Sequence, residues 1–167
     1  MSARSVKVLF VCMGNICRSP AGEGIFRHFV DSMDRSENIH IDSAGTIAYH
    51  AGKPADRRMH EVAARRGYRL ESIARVVTVD DLDQFDLIVA MDHDNFAELQ
   101  RLGREPKANI RMLGGFIPGV ERDALAPAVP DPYYGGGDGF DRVIDLIESA
   151  CPAMLDHCLE LLAQRTR

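Results

Sequence analysis

Cys12 and Arg18 stand near the start of the chain with five residues between them. That length of backbone can curl its amide groups around one tetrahedral anion while the arginine fork grips two of the anion's oxygens. The spacing therefore predicts a phosphate-binding loop with the cysteine beneath the bound phosphorus. Besides Cys12, this loop comprises Met13, Gly14, Asn15, Ile16, Cys17, Arg18 and Ser19.

The predicted loop leads directly into a helix, with Pro20 at its expected first position. The helix dipole, the loop amides and Arg18 all favour a negative charge on the sulfur of Cys12. Gly14 and Asn15 tolerate the positive φ angles that a tight curl requires. Buried cysteines at strand ends are usually inert, but these features occurring together predict an ionised nucleophile.

A second candidate motif, Asp-Pro-Tyr-Tyr followed by glycines, begins at Asp131. Read alone, it is typical of a turn. Beside a phosphate loop, the same segment offers one carboxylate, and the rings of Tyr133 and Tyr134 are suited to flank a substrate phenyl group. The pair of motifs therefore points to phosphotyrosine chemistry.

Three segments together resemble the low-molecular-weight protein tyrosine phosphatases: 12–20, the Ser-Ala-Gly-Thr run at 43–46, and 131–135. The length of the chain and the order of its elements also fit, so the resemblance spans nearly the whole sequence. It implies one domain over 1–167 that hydrolyses phosphotyrosine, and small aryl phosphates, through a cysteinyl-phosphate intermediate.

The resemblance also implies a role for each site residue. Cys12 would be the nucleophile, Arg18 the clamp on phosphate and transition state, and Asp131 the general acid that protonates the departing phenolate. Ser19 would hydrogen-bond the sulfur of Cys12. The residues expected to support the loop are Ser19, Asn15 and Ser43.

By the same resemblance, the loop 47–54 forms the opposite wall of the cleft, with Tyr49 and His50 beside the substrate. Lys53, Arg57 and Arg58 follow, and such charges are most often a solvated face; the alternative is that they attract acidic flanks of a phosphoprotein. The chain departs from many relatives at Ser72, where they carry a supporting histidine. A long connection over 117–130 has no role that the sequence assigns.

Cys12 and Cys17 form a candidate redox pair, since a thiolate of low pKa oxidises readily and a neighbouring thiol can capture its sulfenic acid. Simple packing is the alternative for Cys17. Cys151 and Cys158 fall on a helical apolar stripe, which predicts core residues and no zinc site.

Hydrophobic runs alternate with helical spacing, which predicts an α/β fold. We expect a single three-layer domain in which helices cover both faces of a four-stranded parallel sheet of order 2-1-3-4. Cys12 would lie where that order reverses, at the carboxyl ends of the strands. The strands are predicted at 6–12, 39–42, 86–91 and 109–113, and the helices at 20–33, 55–66, 92–102 and 140–164, the last kinked at Pro152.

With 167 residues, of which 46% are hydrophobic, the chain can bury one sizeable core. The short apolar run near its start is no signal or membrane segment, so we expect a cytoplasmic protein with free thiols and no membrane insertion. Expected partners are phosphotyrosine-containing proteins, inorganic phosphate, and the mimics vanadate and arsenate. We expect no metal, no cofactor and no nucleic acid.

Three other functions are alternatives to phosphotyrosine hydrolysis. Arsenate reductases on this scaffold relay a disulfide through further cysteines, and residues 80–100 contain none. A noncatalytic phosphotyrosine-binding module would be favoured if Cys12, Arg18 or Asp131 were missing. A nucleotide-binding loop is weaker still, because the glycine run at 135–139 follows no predicted strand and no Gly-Lys-Ser/Thr sequence occurs.

Overall fold

A parallel sheet of four strands forms the centre of the molecule, in the predicted order β2-β1-β3-β4. The computed structural model describes residues 4–103, 109–121, 123–133 and 138–165. The strands are β1 Val6–Cys12, β2 Ile39–Gly45, β3 Leu87–Ala90 and β4 Ile110–Met112. Within those residues, no helix has the length and apolar character needed to cross a membrane.

In the described part of the chain, five α-helices and two short 3₁₀ helices connect and follow the strands. The α-helices are α1 Arg18–Ser32, α2 Arg57–Arg65, α3 Val79–Gln84, α4 His93–Leu102 and α5 Gly139–Arg165. The 3₁₀ helices are Leu113–Phe116 and Asp123–Leu125. Pro152 lies inside α5, and Cys151 and Cys158 of that helix are buried in the core as predicted.

Alternate side chains of β1 point to opposite faces of the sheet, as the strand period of two requires. Phe10 packs edge-on against Phe26 of α1, with 5.9 Å between ring centroids, and shares a buried cluster with Ile144 of α5. Leu9 belongs instead to a second cluster with Leu99 of α4. Two buried clusters on two faces confirm the three-layer arrangement.

The first helix begins at Arg18, two residues earlier than predicted. Cys17 is its N-cap residue, and the amide of Ala21 donates to the carbonyl of Cys17 at 3.2 Å. Pro20 is thus the third helical residue and not the first. A proline fits there because the amides of the first turn have no partner within the helix.

Sequence patterns missed α3, whose six residues are too few to show a helical period. Its start carries a capping box, in which Thr78 accepts from the amide of Asp81 and the Asp81 carboxylate accepts from the amide of Thr78. The second strand also continues to Gly45, three residues beyond its predicted end, because Gly45 pairs with Cys12. The remaining predicted boundaries of strands and helices differ by one or two residues.

Candidate active site

Cys12 ends β1 at the carboxyl edge of the sheet, between the neighbouring strands β2 and β3. A cleft of about 440 Å³ opens directly above it. Most of the site residues that the sequence singled out line this cleft, whereas Asn15, Ser19 and Ser43 lie outside its lining. Its lining consists of Cys12, Met13, Gly14, Ile16, Cys17, Arg18, Ile47, Tyr49, His50, Asp131 and Tyr133.

The backbone carbonyls of the loop are held from outside. Thr46 donates its amide to the carbonyl of Cys12 at 3.0 Å, and Ile47 donates to Met13 at 3.1 Å. The amide of Asp56 donates to the carbonyl of Ile16 at 2.7 Å. Because the peptide bonds are trans, the amide that follows each of these carbonyls points to the opposite side. The loop therefore presents amide donors inward, as an anion requires.

The sulfur of Cys12 lies at the bottom of the cleft, in a residue that is only 3% exposed. Its nearest polar neighbour is the Ser19 hydroxyl, with 3.0 Å between Sγ and Oγ, and the Ser19 amide donates to the sulfur at 3.4 Å. The hydroxyl oxygen of Ser19 accepts from Asn15 Nδ2 at 2.7 Å, which leaves the hydroxyl proton for the sulfur or for the more distant Ala44 carbonyl. The amide and the hydroxyl of Ser19 thus both contact the sulfur from the side of α1.

Asn15 holds the loop in shape through a left-handed backbone conformation with φ of 57°. Its Nδ2 donates to the hydroxyls of Ser19 and Ser43, and its Oδ1 accepts from the amide of Arg75 at 3.0 Å. Gly14 does not adopt a positive φ, contrary to the prediction. A side chain is excluded at Gly14 for a different reason, since a Cβ there would lie 2.9 Å from the His50 ring.

Ser43 is fixed on its other side by Glu23, a buried carboxylate of α1 that accepts from the Ser43 hydroxyl at 2.8 Å. Burial raises the pKa of Glu23, while the Ser43 hydroxyl and Arg27, 3.1 Å away, oppose that shift. The hydroxyl of Ser72, the position at which the family resemblance implies a histidine, has no hydrogen-bond partner among the described residues. Glu23 and the Arg75 amide thus support the loop without a histidine.

Arg18 is buried, and one of its terminal nitrogens is fully committed to the protein. Nη1 donates to Asp92 Oδ2 at 2.7 Å and to the carbonyl of Val129 at 3.0 Å. Within the described part of the chain, Nε and Nη2 make no hydrogen bond, so this edge of the fork is available to a ligand. Burial alone would lower the pKa of Arg18, but the negative charges of Cys12 and Asp92 raise it, which keeps the guanidinium charged.

Asp131 faces the same guanidinium across the cleft. Its Oδ2 lies 3.6 Å from Arg18 Nη2, and its side chain is 32% exposed. Its other oxygen, Oδ1, accepts from the amide of Tyr133 at 3.0 Å. The carboxylate is therefore oriented yet reachable from the cleft. Tyr134 lies outside the described residues.

Aromatic rings form the mouth of the cleft. His50 stands edge-on to Tyr49, with 4.7 Å between ring centroids, and its ring lies 5.9 Å from that of Tyr133. Tyr49 is 78% exposed, and the ammonium of Lys53 lies 6.0 Å from its ring centroid. Of the predicted cleft residues, Tyr49, His50 and Tyr133 thus form one rim above the sulfur.

The connection over 117–130 leads from the 3₁₀ helix after β4 to the acid segment, and hydrogen bonds hold it at Asp123 and at Val129. Asp123 accepts from Nε of Arg111 at 2.8 Å and from the amide of Met112 at 3.0 Å. Further along, the amide of Val129 donates to the carbonyl of Met91 at 2.8 Å. This connection supplies the Val129 carbonyl to Arg18 and then delivers Asp131 two residues later.

Two residues of the site were not recognised from sequence. Asp92 was predicted only as the first residue of the helix over 92–102. It caps α4 by accepting from the amide of Asn95 at 2.7 Å and also binds Arg18. Glu23 was not singled out at all. The sequence did contain one signal for Glu23, because a charged residue one helical turn after Ser19 falls on the buried face of α1.

The low molecular weight phosphotyrosine protein phosphatase family model matches residues 7–165. A low molecular weight protein-tyrosine-phosphatase of Streptomyces coelicolor is 40% identical over 151 residues, which cover 89% of this chain and 91% of that protein.

Two solved structures share the fold. A protein tyrosine phosphatase from Entamoeba histolytica superposes with a TM-score of 0.85 and 44% identity, covering 93% of this chain and 98% of the other. The drosophila arginine phosphatase DARP superposes with a TM-score of 0.81 and 32% identity, covering 91% and 97%.

The left-handed backbone of Asn15 gives a testable pair of variants. Asn15→Gly and Asn15→Ala both remove the side-chain hydrogen bonds, so each should lower kcat/KM and destabilise the fold by about 2 kcal/mol. Only alanine is strained at positive φ, and Asn15→Ala should therefore be less stable by about a further 1 kcal/mol. Urea unfolding measures this difference.

Asp34 provides the matched control, because it is exposed and has the same φ of 57°. The alanine and glycine variants of Asp34 should differ in stability by a similar amount while keeping full activity. Equal stability of Asn15→Ala and Asn15→Gly would contradict the assigned backbone strain.

Proposed function

The chain belongs to the low molecular weight phosphotyrosine protein phosphatases, and we propose that Cys12, Arg18 and Asp131 carry out its phosphotyrosine hydrolysis. The observation that carries these assignments is the convergence of a sulfur, a guanidinium edge and a carboxylate on one cleft floored by inward-facing amides. Each group faces the position that an ester phosphate would occupy.

In the first step, the Cys12 thiolate attacks phosphorus and the bond to the phenolic oxygen breaks. The departing phenolate takes a proton from Asp131, because its conjugate acid has a pKa near 10. In the second step, the Asp131 carboxylate draws a proton from water as the water attacks the cysteinyl phosphate. The sulfur then leaves as a thiolate, accepted by the hydroxyl and amide of Ser19.

Negative charge develops on the phosphoryl oxygens during the transfer, and the hydrogen-bond donors that stabilise it are already aligned. The loop amides are held inward by bonds on their opposite side, and Arg18 is oriented by Asp92 and Val129. Such preorganised donors are usually the largest single contribution to a rate enhancement. The donors need not reorganise when the substrate arrives.

The rim favours an aryl phosphate carried by a protein. Tyr49 and Tyr133 are positioned to flank a phenyl ring, and Ile16 and Ile47 add apolar surface to the walls. Tyr134 would join them by the family resemblance. Since one structural relative is an arginine phosphatase, phosphoarginine is the informative comparison substrate, and its polar guanidino group would gain little from these walls.

The same loop should bind inorganic phosphate and its tetrahedral mimics vanadate and arsenate, through the amides and Arg18. We propose that the enzyme works in the cytoplasm, since a thiolate nucleophile must stay reduced and all four cysteines are free in the structure.

Replacement of the nucleophile separates binding from chemistry. Cys12→Ser should abolish turnover of phosphotyrosine peptides while retaining phosphate binding, because a serine hydroxyl does not ionise near neutral pH and the amide cradle is unchanged. Rapid quenching of the wild type should trap phosphate on Cys12, detected by peptide mapping. Substantial turnover by Cys12→Ser would rule out thiol catalysis.

The general-acid role makes the rate depend on the leaving group. Asp131→Ala should lower kcat/KM for phenyl phosphate by about 10²–10⁴ and for 2,4-dinitrophenyl phosphate much less, since only the basic phenolate needs a proton. The measurement is a series of aryl phosphates of graded leaving-group pKa. Equal losses across the series would leave Asp131 as a turn residue.

The paired loop thiols predict reversible oxidation. Peroxide should convert Cys12 to a sulfenic acid, and Cys17 should displace water from it to form a disulfide. Burial raises the pKa of Cys17, with Asp56 adding to the effect, so Cys17 should react only after Cys12 is oxidised. Dithiothreitol should then restore wild-type activity but not that of Cys17→Ser. Complete recovery of Cys17→Ser, or a bridge to Cys151 or Cys158, would show that Cys17 only packs.

A further inference from the structure

Arg58 lies in the first turn of α2, yet its side chain contacts the acid segment on the other side of the cleft. Its Nη2 donates to the carbonyl of Tyr133 at 3.2 Å. The guanidinium carbon lies 5.4 Å from the ring centroid of Tyr133 and 5.0 Å from that of Phe140. These three contacts join α2 to Tyr133, two residues after Asp131, and to Phe140 in the first turn of α5.

The same guanidinium is anchored on the side of the phosphate loop. Nε of Arg58 donates to Asp56 Oδ1 and Nη2 donates to Oδ2, each at 3.2 Å. Asp56 in turn donates its amide to the carbonyl of Ile16 at 2.7 Å, so it is attached directly to the loop that holds the phosphate. Asp56 also caps α2 by accepting from the amide of Arg58 at 2.9 Å.

A continuous series of contacts therefore runs from the nucleophile's loop to the general acid. It passes from Ile16 through Asp56 and Arg58 to Tyr133, whose amide donates to Asp131 Oδ1 at 3.0 Å. We infer that Arg58 is a positioning residue that fixes the Asp131 carboxyl relative to the phosphate loop. The inference rests on the proposed general-acid role of Asp131.

Arginine suits this position because of its shape. A planar fork can bind one carboxylate along one edge, donate to a carbonyl, and stack on rings with its faces. Lysine keeps the charge but has a compact ammonium that cannot make these contacts together. Simple attraction of acidic substrates is the competing explanation, and it requires only the charge.

The decisive variant is Arg58→Lys, assayed as kcat/KM on graded aryl phosphates that carry no acidic flank. We expect a loss of about 10-fold for phenyl phosphate and less than about twofold for 2,4-dinitrophenyl phosphate, since displacement of the acid affects only poor leaving groups. In an Asp131→Ala background, Arg58→Lys should add no selective loss, because there is no acid left to position.

Arg57 offers a matched control on the same helical turn. Its side chain is 91% exposed and pairs with Glu61 at 3.0 Å, so Arg57→Lys should leave both substrates unaffected. Phe140→Leu removes one stacking face and keeps every charge, and it should reproduce a weaker form of the Arg58→Lys selectivity. Alkylation of Cys12 by iodoacetate should proceed at the wild-type rate in all three variants.

Wild-type kinetics in Arg58→Lys, an equal loss on both substrates, or an undiminished loss in the Asp131→Ala background would overturn the inference. Failure of the proposed function would look different. In that case Asp131→Ala alone would lack leaving-group selectivity, and the positioning role of Arg58 would fall with it.

Discussion

The site depends on a loop backbone that is held with its amides facing inward before any anion arrives. Peptide groups in that arrangement bring their dipoles into mutual repulsion, and Asn15 adds the cost of a left-handed conformation. The opposing interactions come from outside the loop, where other amides bind its carbonyls and Ser43 and Arg75 bind the Asn15 side chain. Folding contacts therefore supply the free energy that orders these donors, and a phosphate ester binds to donors that are already aligned.

The sheet order explains how so many distant segments reach one loop. Because β1 lies between β2 and β3, the carboxyl ends of these two neighbours flank Cys12, and each brings a residue that supports the site. Ser43 arrives on β2, and Asp92 follows β3. Arg18 contacts Asp92 and Val129, which lie 74 and 111 residues further along the sequence. A site assembled from such long-range contacts is complete only when the whole domain has folded.

Local chemistry made much of this molecule predictable from sequence. The proposed nucleophile, the arginine beside it and the strand order could be predicted from short motifs and from alternating hydrophobic patterns, which report nearest neighbours along the chain. Partners that meet only after folding leave no such pattern, and this is why Glu23, the second role of Asp92 and the contacts of Arg58 were missed. Pro20 misled for a related reason: a proline is compatible with any position in a first helical turn, so its presence does not fix where the helix begins.

The charge of Arg18 is balanced inside the protein, yet part of its guanidinium stays available to bind a ligand. Its charge requires compensation inside the protein, which Asp92 supplies through Nη1 alone. Among the described residues, the Nε and Nη2 edge makes no hydrogen bond, and Asp131 Oδ2 lies 3.6 Å from Nη2. A tetrahedral anion bound above Cys12 would therefore find this edge available, and the proposed general acid would lie beside it. The guanidinium that would hold the phosphate is thus the same one that faces the Asp131 carboxylate.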